Sequence, residues 1–79
     1  MEFVRGLVVR SLAGRDKGGF FLVLSADRNG IVVCDGKRRP LENPKRKNPK
    51  HLAATNTVLD SMKTNREIRM ALKPFQEKS

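Results

Sequence analysis

Residues 20–34 read F-F-L-V-L-S-A-D-R-N-G-I-V-V-C and predict a β-hairpin. Two runs rich in Phe, Leu, Val and Ile, residue types that favour strands, flank a turn signal. The signal is Asn29-Gly30, because both residues can take the positive φ that a tight hairpin turn requires. An earlier apolar run, Leu7-Val8-Val9, is followed by a segment rich in glycine. The spacing predicts three antiparallel strands in a meander, near residues 5–12, 19–26 and 30–35.

The short length of the chain limits the fold that these strands can form. Its 79 residues make one domain at most, and a chain of this size buries roughly 60% of its unfolded surface. It contains no Trp or Tyr and four Phe, so the core must be largely aliphatic. A further short strand at residues 51–55 could close the sheet, since a five-stranded barrel removes exposed edges. We therefore expect a mainly β, five-stranded barrel domain over residues 1–56.

The last third of the chain predicts a helical extension and a frayed tail over residues 57–79. Thr64-Asn65-Arg66-Glu67 fits a capping box, in which the Thr is the N-cap and the Glu is the third helical residue. We predict a short α-helix from about 65 to 73 that ends at Pro74. Residues 75–79 should fray.

Five apolar side chains have predicted places in or near the core. Phe20 and Phe21 are adjacent in a strand, so they point to opposite faces, one into the core and the other free for the surface. Ile68 and Leu72 are four residues apart on one helix face, which should pack on the barrel. Cys34 is the only cysteine, so we expect no internal disulfide and a buried small hydrophobic side chain.

The stretch from Lys37 to Lys50 concentrates the positive charge of the chain. It reads K-R-R-P-L-E-N-P-K-R-K-N-P-K and carries seven of the seventeen Lys and Arg, with Glu42 as its one acid. It holds +6 of the net charge of +9. Its three prolines exclude a helix and favour an extended loop or an edge strand. Concentrated charge of one sign needs a partner of the other sign, and the abundant intracellular partner is nucleic-acid phosphate.

Two segments together resemble a known family. Residues 6–18, G-L-V-V-R-S-L-A-G-R-D-K-G, look like a KOW motif, in which alternating apolar residues lead through a G-R/K-D-x-G loop to a second strand. Residues 32–39, V-V-C-D-G-K-R-R, and 48–52, N-P-K-H-L, are similar to the archaeal and eukaryotic large-subunit ribosomal proteins called L fourteen-e, L six-e and L twenty-seven-e. The resemblance covers roughly residues 4–54. It implies an SH3-like barrel that binds structured RNA, ribosomal RNA in the best-known members, without catalysis.

Eleven residues are predicted RNA contacts. The motif positions of the family imply contacts at Arg15, Lys17, Lys37, Arg38, Arg39, Asn48, Lys50 and His51. Charge alone adds Lys45, Arg46 and Lys47, which match no fixed position of the motif. The chain lacks the long extensions of the ribosomal proteins, so it looks more like a small bacterial KOW protein that binds RNA or associates with ribosomes. Residues 15–17 have an alternative interpretation as a polar turn with a local ion pair.

Recognition of structured RNA is the expected function, and two other functions stay open. Because few aromatic side chains are present to stack on bases, recognition through shape and phosphate is favoured. The alternatives are a DNA binder and a protein-interaction module of the transcription or translation machinery, acting through the barrel or the helix. An enzyme is the least expected, since the sequence shows no nucleophile–base pair, metal-ligand set or P-loop glycine motif. We expect no metal and no cofactor.

Composition also bears on location. A single Cys fits a reducing compartment, and the start of the chain, M-E-F-V-R-G-L-V-V-R, does not fit a signal peptide. No apolar run approaches the ~18 residues that can span a bilayer. We therefore expect a soluble, cytoplasmic and monomeric protein with no membrane partner.

Overall fold

The computed structural model describes residues 3–59 and 62–78 and shows one antiparallel sheet followed by a helix. The elements are β1 (Leu7–Ser11), β2 (Phe20–Asp27), β3 (Gly30–Cys34), β4 (Lys45–Lys47), a 3-10 turn (Pro49–His51), β5 (Leu52–Val58) and α1 (Asn65–Lys78). The five strands lie in the order β4-β3-β2-β1-β5. A mainly β fold with five strands and one C-terminal helix is therefore confirmed.

The hairpin of β2 and β3 forms where the sequence predicts it, with the turn shifted by one residue. Asp27 pairs with Gly30, so the two turn residues are Arg28 and Asn29. The Asp27 Oδ1 accepts a hydrogen bond from the Asn29 backbone N–H at 2.8 Å, which closes the turn. Leu24 has no partner on β3, and this bulge bends β2.

Both faces of the sheet are apolar, because hydrophobic residues follow one another along its central strands. One face, here called the inner face, carries a buried cluster made by Leu7, Val9, Phe21, Val23, Ile31, Val33 and Leu52. The opposite face, here called the helix face, carries Val8, Leu22 and Cys34. Ile68 and Leu72 of α1 pack against them, which confirms the predicted helix packing.

The two adjacent Phe residues point to opposite faces, but neither ring is free for the surface. Phe21 is buried in the inner-face cluster. Phe20 is half-buried on the helix face, where its ring packs against that of Phe75 with centroids 5.5 Å apart. The expectation of one free ring was wrong, because α1 extends far enough to cover Phe20.

The sheet must curl, because a short connection joins its two edge strands. Five residue steps lead from the end of β4 to the start of β5, and a chain covers at most about 18 Å in that number of steps. In a flat five-stranded sheet the edge strands would lie about 19 Å apart, and the 3-10 turn shortens the connection further. The curl brings β4 over the inner face. The sheet is not closed, since β4 and β5 share no strand pairing among the described residues.

The helix α1 is longer than the sequence predicts, because Pro74 lies inside it. The proline is exposed, so its ring points to solvent, although its missing N–H removes one helical hydrogen bond. The last turn is held by the sheet: Phe75 packs on Phe20, and the Gln76 side chain accepts from the Phe20 N–H and donates to its carbonyl, each at 3.1 Å. These contacts correct the predicted helix end at 73 and the fraying from 75. Ser79, the last residue of that tail, lies outside the described residues.

The start of α1 confirms the predicted capping box. The Thr64 Oγ1 accepts a hydrogen bond from the Glu67 N–H at 3.1 Å. In return, the Glu67 Oε1 accepts from the backbone N–H groups of Thr64 and Lys63, each at 3.0 Å.

The basic stretch forms loops, one edge strand and one 3-10 turn. Pro40 and Pro44 lie in the loop before β4, and β4 pairs with β3 at the edge of the sheet, as the prolines predict. Pro49 is the first residue of the 3-10 turn, so the exclusion of helix fails for this single turn, where proline fits the first position. The next strand, β5, runs to Val58, past the domain boundary that the sequence predicts after residue 56.

Cys34 is confirmed as a buried small hydrophobic residue. It is 0% exposed and its thiol is free. Burial away from water, with a smaller contribution from the charge of Asp35, raises the pKa of the thiol to about 11. The thiol is therefore protonated and unreactive at neutral pH.

Replacing Leu72 with Ala should loosen α1 from the sheet. The side chain is 1% exposed, so its truncation should lower the free energy of unfolding by about 2–5 kcal/mol. Met70→Ala is the matched control, because Met70 is 60% exposed and its truncation should change that free energy by less than about 0.5 kcal/mol. Urea denaturation followed by circular dichroism measures both values. Equal losses in the two variants would contradict this packing of α1.

Candidate nucleic-acid interface

Two loops that carry predicted contacts emerge at the same end of the sheet. The first loop, residues 12–19, joins β1 to β2, and the second loop, residues 35–44, joins β3 to β4. Antiparallel pairing places the end of β1 and the end of β3 beside the start of β2. Residues of both loops and of β2 line one shallow hollow, here called the two-loop hollow: Arg15, Asp16, Lys17, Gly19, Phe21, Asp35 and Arg38.

The first loop folds back on itself through backbone hydrogen bonds. The Ser11 N–H donates to the Gly19 carbonyl, and the Gly18 N–H donates to the Ser11 carbonyl, each at 2.8 Å. Gly14 and Gly18 have φ values of 80° and 87°, where a side chain would strain the backbone, and no atom lies near the position of a Cβ. Glycine is therefore required by the backbone conformation, and the loop surface stays open to a ligand.

The second loop is held by two side chains. The Asp35 Oδ1 accepts hydrogen bonds from the N–H groups of Lys37 and Arg39, each at 2.9 Å, which makes residues 35–39 a tight turn. Further along, the Asn65 Oδ1 at the start of α1 accepts from the Leu41 N–H at 2.7 Å. The cationic side chains at the tip of the turn therefore stand on a fixed backbone.

Asp16, in the middle of the first loop, binds three cations of the basic stretch. Its side chain is 4% exposed, and its Oδ2 lies 3.2 Å from Lys45 Nζ, 3.5 Å from Lys47 Nζ and 3.8 Å from Arg39 Nη2. We call these four residues the Asp16 cluster. Curling of the sheet makes the contacts possible, because it brings β4 over the inner face. The ion pairs are long-range, not the local pair within residues 15–17 that the sequence left open.

Burial and cations act in opposite directions on the Asp16 carboxyl. Removal from water is the largest single influence and raises its pKa. The hydrogen bond from Lys45 and the charges of the three cations together outweigh burial and hold the pKa below the usual 3.8. Asp16 is therefore ionised at neutral pH, and the Asp16 cluster keeps an excess of positive charge. The Nε of Arg39 is buried and has no hydrogen-bond partner in the described part of the chain.

The three residues predicted on charge alone are each paired with a carboxylate. Lys45 and Lys47 of β4 point to Asp16, and the Lys47 side chain is only 7% exposed. Arg46, between them, points to the other side of the strand, and its Nη1 lies 2.9 Å from the Asp27 Oδ1. Their RNA contacts stay predictions, and Lys47 has the least access to solvent.

Five other predicted contacts are exposed cations whose side chains form no ion pair with any residue that the structure describes. Two lie in the first loop, two at the tip of the second loop, and one in the 3-10 turn: Arg15, Lys17, Lys37, Arg38 and Lys50. A cation that is free of an internal partner can neutralise a phosphate without breaking a bond of the fold. These five are therefore the best placed of the eleven to bind an anion.

The 3-10 turn brings the last predicted contacts beside the first loop. The His51 carbonyl accepts a hydrogen bond from the Leu12 N–H at 2.8 Å, and the His51 side chain is exposed. The Asn48 Oδ1 accepts from the Lys50 N–H at 2.9 Å and so caps the turn. Lys50 and His51 are thus near the first loop, whereas Asn48 lines a separate hollow with Arg28 of the β2–β3 turn.

Sequence reasoning missed a group of cations on α1. The Arg69 Nη1 donates a hydrogen bond to the Gly36 carbonyl at 2.9 Å, so α1 touches the turn of the second loop. Lys73 lies about one helical turn further along on the same side. The spacing of Arg66, Arg69 and Lys73 at i, i+3 and i+7 is the signal that could have found them.

No protein-family model matches the sequence, and a search of curated proteins gave no match. Within residues 3–59 and 62–78, no group of three or more His, Cys, Asp and Glu side chains could hold a metal ion. No helix in those ranges is both long and apolar enough to cross a membrane.

Replacing Asp16 with Asn should destabilise the protein in a pH-dependent way. The change leaves three cations around a neutral group and should lower the free energy of unfolding at pH 7 by about 3 kcal/mol. Because the folded-state pKa of Asp16 lies below the usual 3.8, its ion pairs stabilise the fold above that pH and are lost as the pH falls through the folded-state value. The difference in free energy of unfolding between wild type and Asp16→Asn should therefore become smaller as the pH falls. Urea denaturation at a series of pH values measures this difference.

Asp27→Asn is the control for that experiment. Asp27 also pairs with an Arg, but the Asp27 side chain is 52% exposed, and an Asn can keep the hydrogen bond from the Asn29 N–H, so Asp27→Asn should lower stability much less than Asp16→Asn. A loss for Asp16→Asn that stays constant down to acid pH would show that shape, not charge, is what Asp16 contributes.

Proposed function

We propose that this protein binds structured RNA, ribosomal RNA in particular, through phosphate contacts from the first and second loops. One observation carries the proposal. Four exposed cations with no ion-pair partner among the described residues stand on the two loops, and a fifth lies in the adjoining 3-10 turn. The resemblance of residues 6–18, 32–39 and 48–52 to KOW proteins favours RNA over other polyanions. Within this proposal the protein acts by binding and carries out no reaction.

The fold supports a closer comparison with that family. We propose that the curled sheet is the SH3-like barrel of the KOW proteins, with the first loop in the place of their G-R/K-D-x-G loop. The curl, the five antiparallel strands and the single 3-10 turn between the edge strands support this assignment. In such a barrel both loops would open at one end, which is where the two-loop hollow lies.

The Asp16 cluster would hold the binding surface in one conformation even when no RNA is bound. Its ion pairs tie the first loop to β4 and to the turn of the second loop, so the exposed cations are held near one another. When the binding surface is already fixed, the protein loses less conformational entropy as the ligand binds. The excess of cations over carboxylates at Asp16 also adds to the positive potential that attracts phosphate.

The aromatic residues support recognition of folded RNA. Phe3 and Phe21 pack with the inner-face cluster, and Phe20 and Phe75 pack on the helix face. All four Phe rings are therefore used in packing, and unstacked bases find no exposed ring in the described residues. Phosphate and sugar contacts across the grooves of a folded RNA suit such a surface better than base stacking.

The proposal predicts a steep dependence of affinity on salt. With five phosphate contacts, a plot of log affinity against log salt concentration should have a slope of about 3.5–4.5 in magnitude, so raising salt from 50 to 200 mM should weaken binding about 130- to 500-fold. Lys37→Gln combined with Arg38→Gln should lower the slope by about 1.4–1.8, because two counterion-releasing contacts are lost. Fluorescence anisotropy with a labelled RNA stem-loop at several salt concentrations measures the slope.

Arg5→Gln combined with Lys63→Gln is the matched control. It removes the same charge from exposed cations that lie outside both loops, so the slope should stay close to that of wild type. Equal slopes in the two double variants would contradict a two-loop site.

Two other outcomes would favour the alternative functions. Tighter binding of duplex DNA than of the stem-loop would favour a DNA binder. Capture of a protein partner from cell extract that stays bound after nuclease treatment would favour a protein-interaction module.

A further inference from the structure

A line of exposed cations follows one flank of α1. Arg66, Arg69 and Lys73 share one side of the helix, because their spacing is i, i+3 and i+7. None of the three forms an ion pair with a residue that the structure describes. Ile68 and Leu72 face the sheet, so this flank lies where the packed side of α1 meets solvent.

The flank faces the turn of the second loop across an open groove, here called the α1 groove. The Arg69 Nη1, which donates to the Gly36 carbonyl, fixes the helix to the turn. Lys37 on the turn and Arg69 and Lys73 on α1 line the groove. Its one residue with an apolar side chain, Leu72, is 1% exposed, so the accessible carbon surface of the walls belongs to the stems of charged and polar side chains.

The α1 groove adjoins the two-loop hollow at the turn of residues 35–39. Asp35 lines both, and the turn that it begins presents Lys37 to the groove and Arg38 to the hollow. Asp16 and Asp35 are the only carboxylates among the described lining residues of the two sites. Asp16 is paired with three cations, Asp35 Oδ1 accepts two backbone hydrogen bonds, and cations outnumber carboxylates among the lining residues of each site.

We propose that the α1 groove binds a second stretch of the RNA sugar–phosphate backbone, so that α1 is part of the interface as well as a cover for the sheet. The inference rests on the proposed function and extends it from the loops to the helix. Charge complementarity selects the occupant: walls that carry three cations against one carboxylate match a phosphodiester chain. An RNA that leaves the two-loop hollow over the turn of residues 35–39 would enter this groove next.

Lys73→Gln tests the α1 groove with the least risk to the fold. Arg69 also supports the structure through Gly36, whereas Lys73 is exposed and its side chain makes no bond with a described residue. With the labelled RNA stem-loop as probe, Lys73→Gln should lower the salt slope of binding by about 0.7–0.9. Lys73→Glu should weaken binding further, because it places a negative charge against phosphate.

Arg5→Gln and Arg5→Glu are the matched controls. Arg5 is an exposed cation that lines a different hollow with Leu24, Leu59 and Met62, and it lies in neither the two-loop hollow nor the α1 groove. Both controls should leave the slope and the affinity near the wild-type values. A measurable difference between the Lys73 and Arg5 variants is the expected result.

The outcomes separate this inference from the proposed function. In one outcome the stem-loop binds, the Lys37 and Arg38 changes lower the salt slope, and Lys73→Gln behaves like Arg5→Gln. That outcome would overturn the proposed role of the α1 groove and support the two-loop site. If Lys73→Gln lowers the slope and the loop changes do not, the groove is supported and the two-loop site is overturned. If wild type does not bind the stem-loop, both are overturned.

Discussion

Asp16 carries a negative charge that is almost wholly removed from water, and three cations from later in the chain surround it. A buried carboxylate is costly unless it is paired, so the first loop, β4 and the turn of the second loop must all be in place at once. That requirement in turn depends on the curl of the sheet, which carries β4 over the inner face. The geometry of the end of the sheet that carries both loops, here called the loop end, therefore depends on pairing the charge of Asp16.

This arrangement divides the cations of the chain into two groups. Arg39, Lys45 and Lys47 stabilise the fold by pairing with Asp16, whereas the exposed cations at the loop tips have no described carboxylate to satisfy. The net charge of +9 is thus not spread evenly over the surface. The most charged part of the sequence, Lys45-Arg46-Lys47, is largely internal or paired, and the open positive surface lies on the loops and along α1. Binding of RNA at such a surface would leave the pairs that hold the fold intact.

Local patterns in the sequence predicted the parts of the fold that depend on local physics. The β2–β3 hairpin, the apolar runs of the central strands and the Thr64–Glu67 capping box are each encoded within a few neighbouring residues. All three are present, with the hairpin turn one residue earlier than predicted. The partners of Asp16 were not predictable in this way, because they lie 23 to 31 positions away and meet only when the sheet curls. The length of α1 was wrong for a similar reason, since contacts of Phe75 and Gln76 with the distant Phe20 outweigh the local effect of Pro74. The candidate site was predicted as a set of residues, but their sorting into paired and free cations needed the structure.

The central claim is that the loop end of this protein presents its free cations to folded RNA. Crosslinking of the protein to RNA in living cells, followed by sequencing of the RNA that is recovered, tests that claim most directly. The account predicts enrichment of a discrete site in ribosomal RNA, with the crosslinked peptides falling in the first loop, the second loop or α1. Recovery of no RNA above an uncrosslinked control would contradict it.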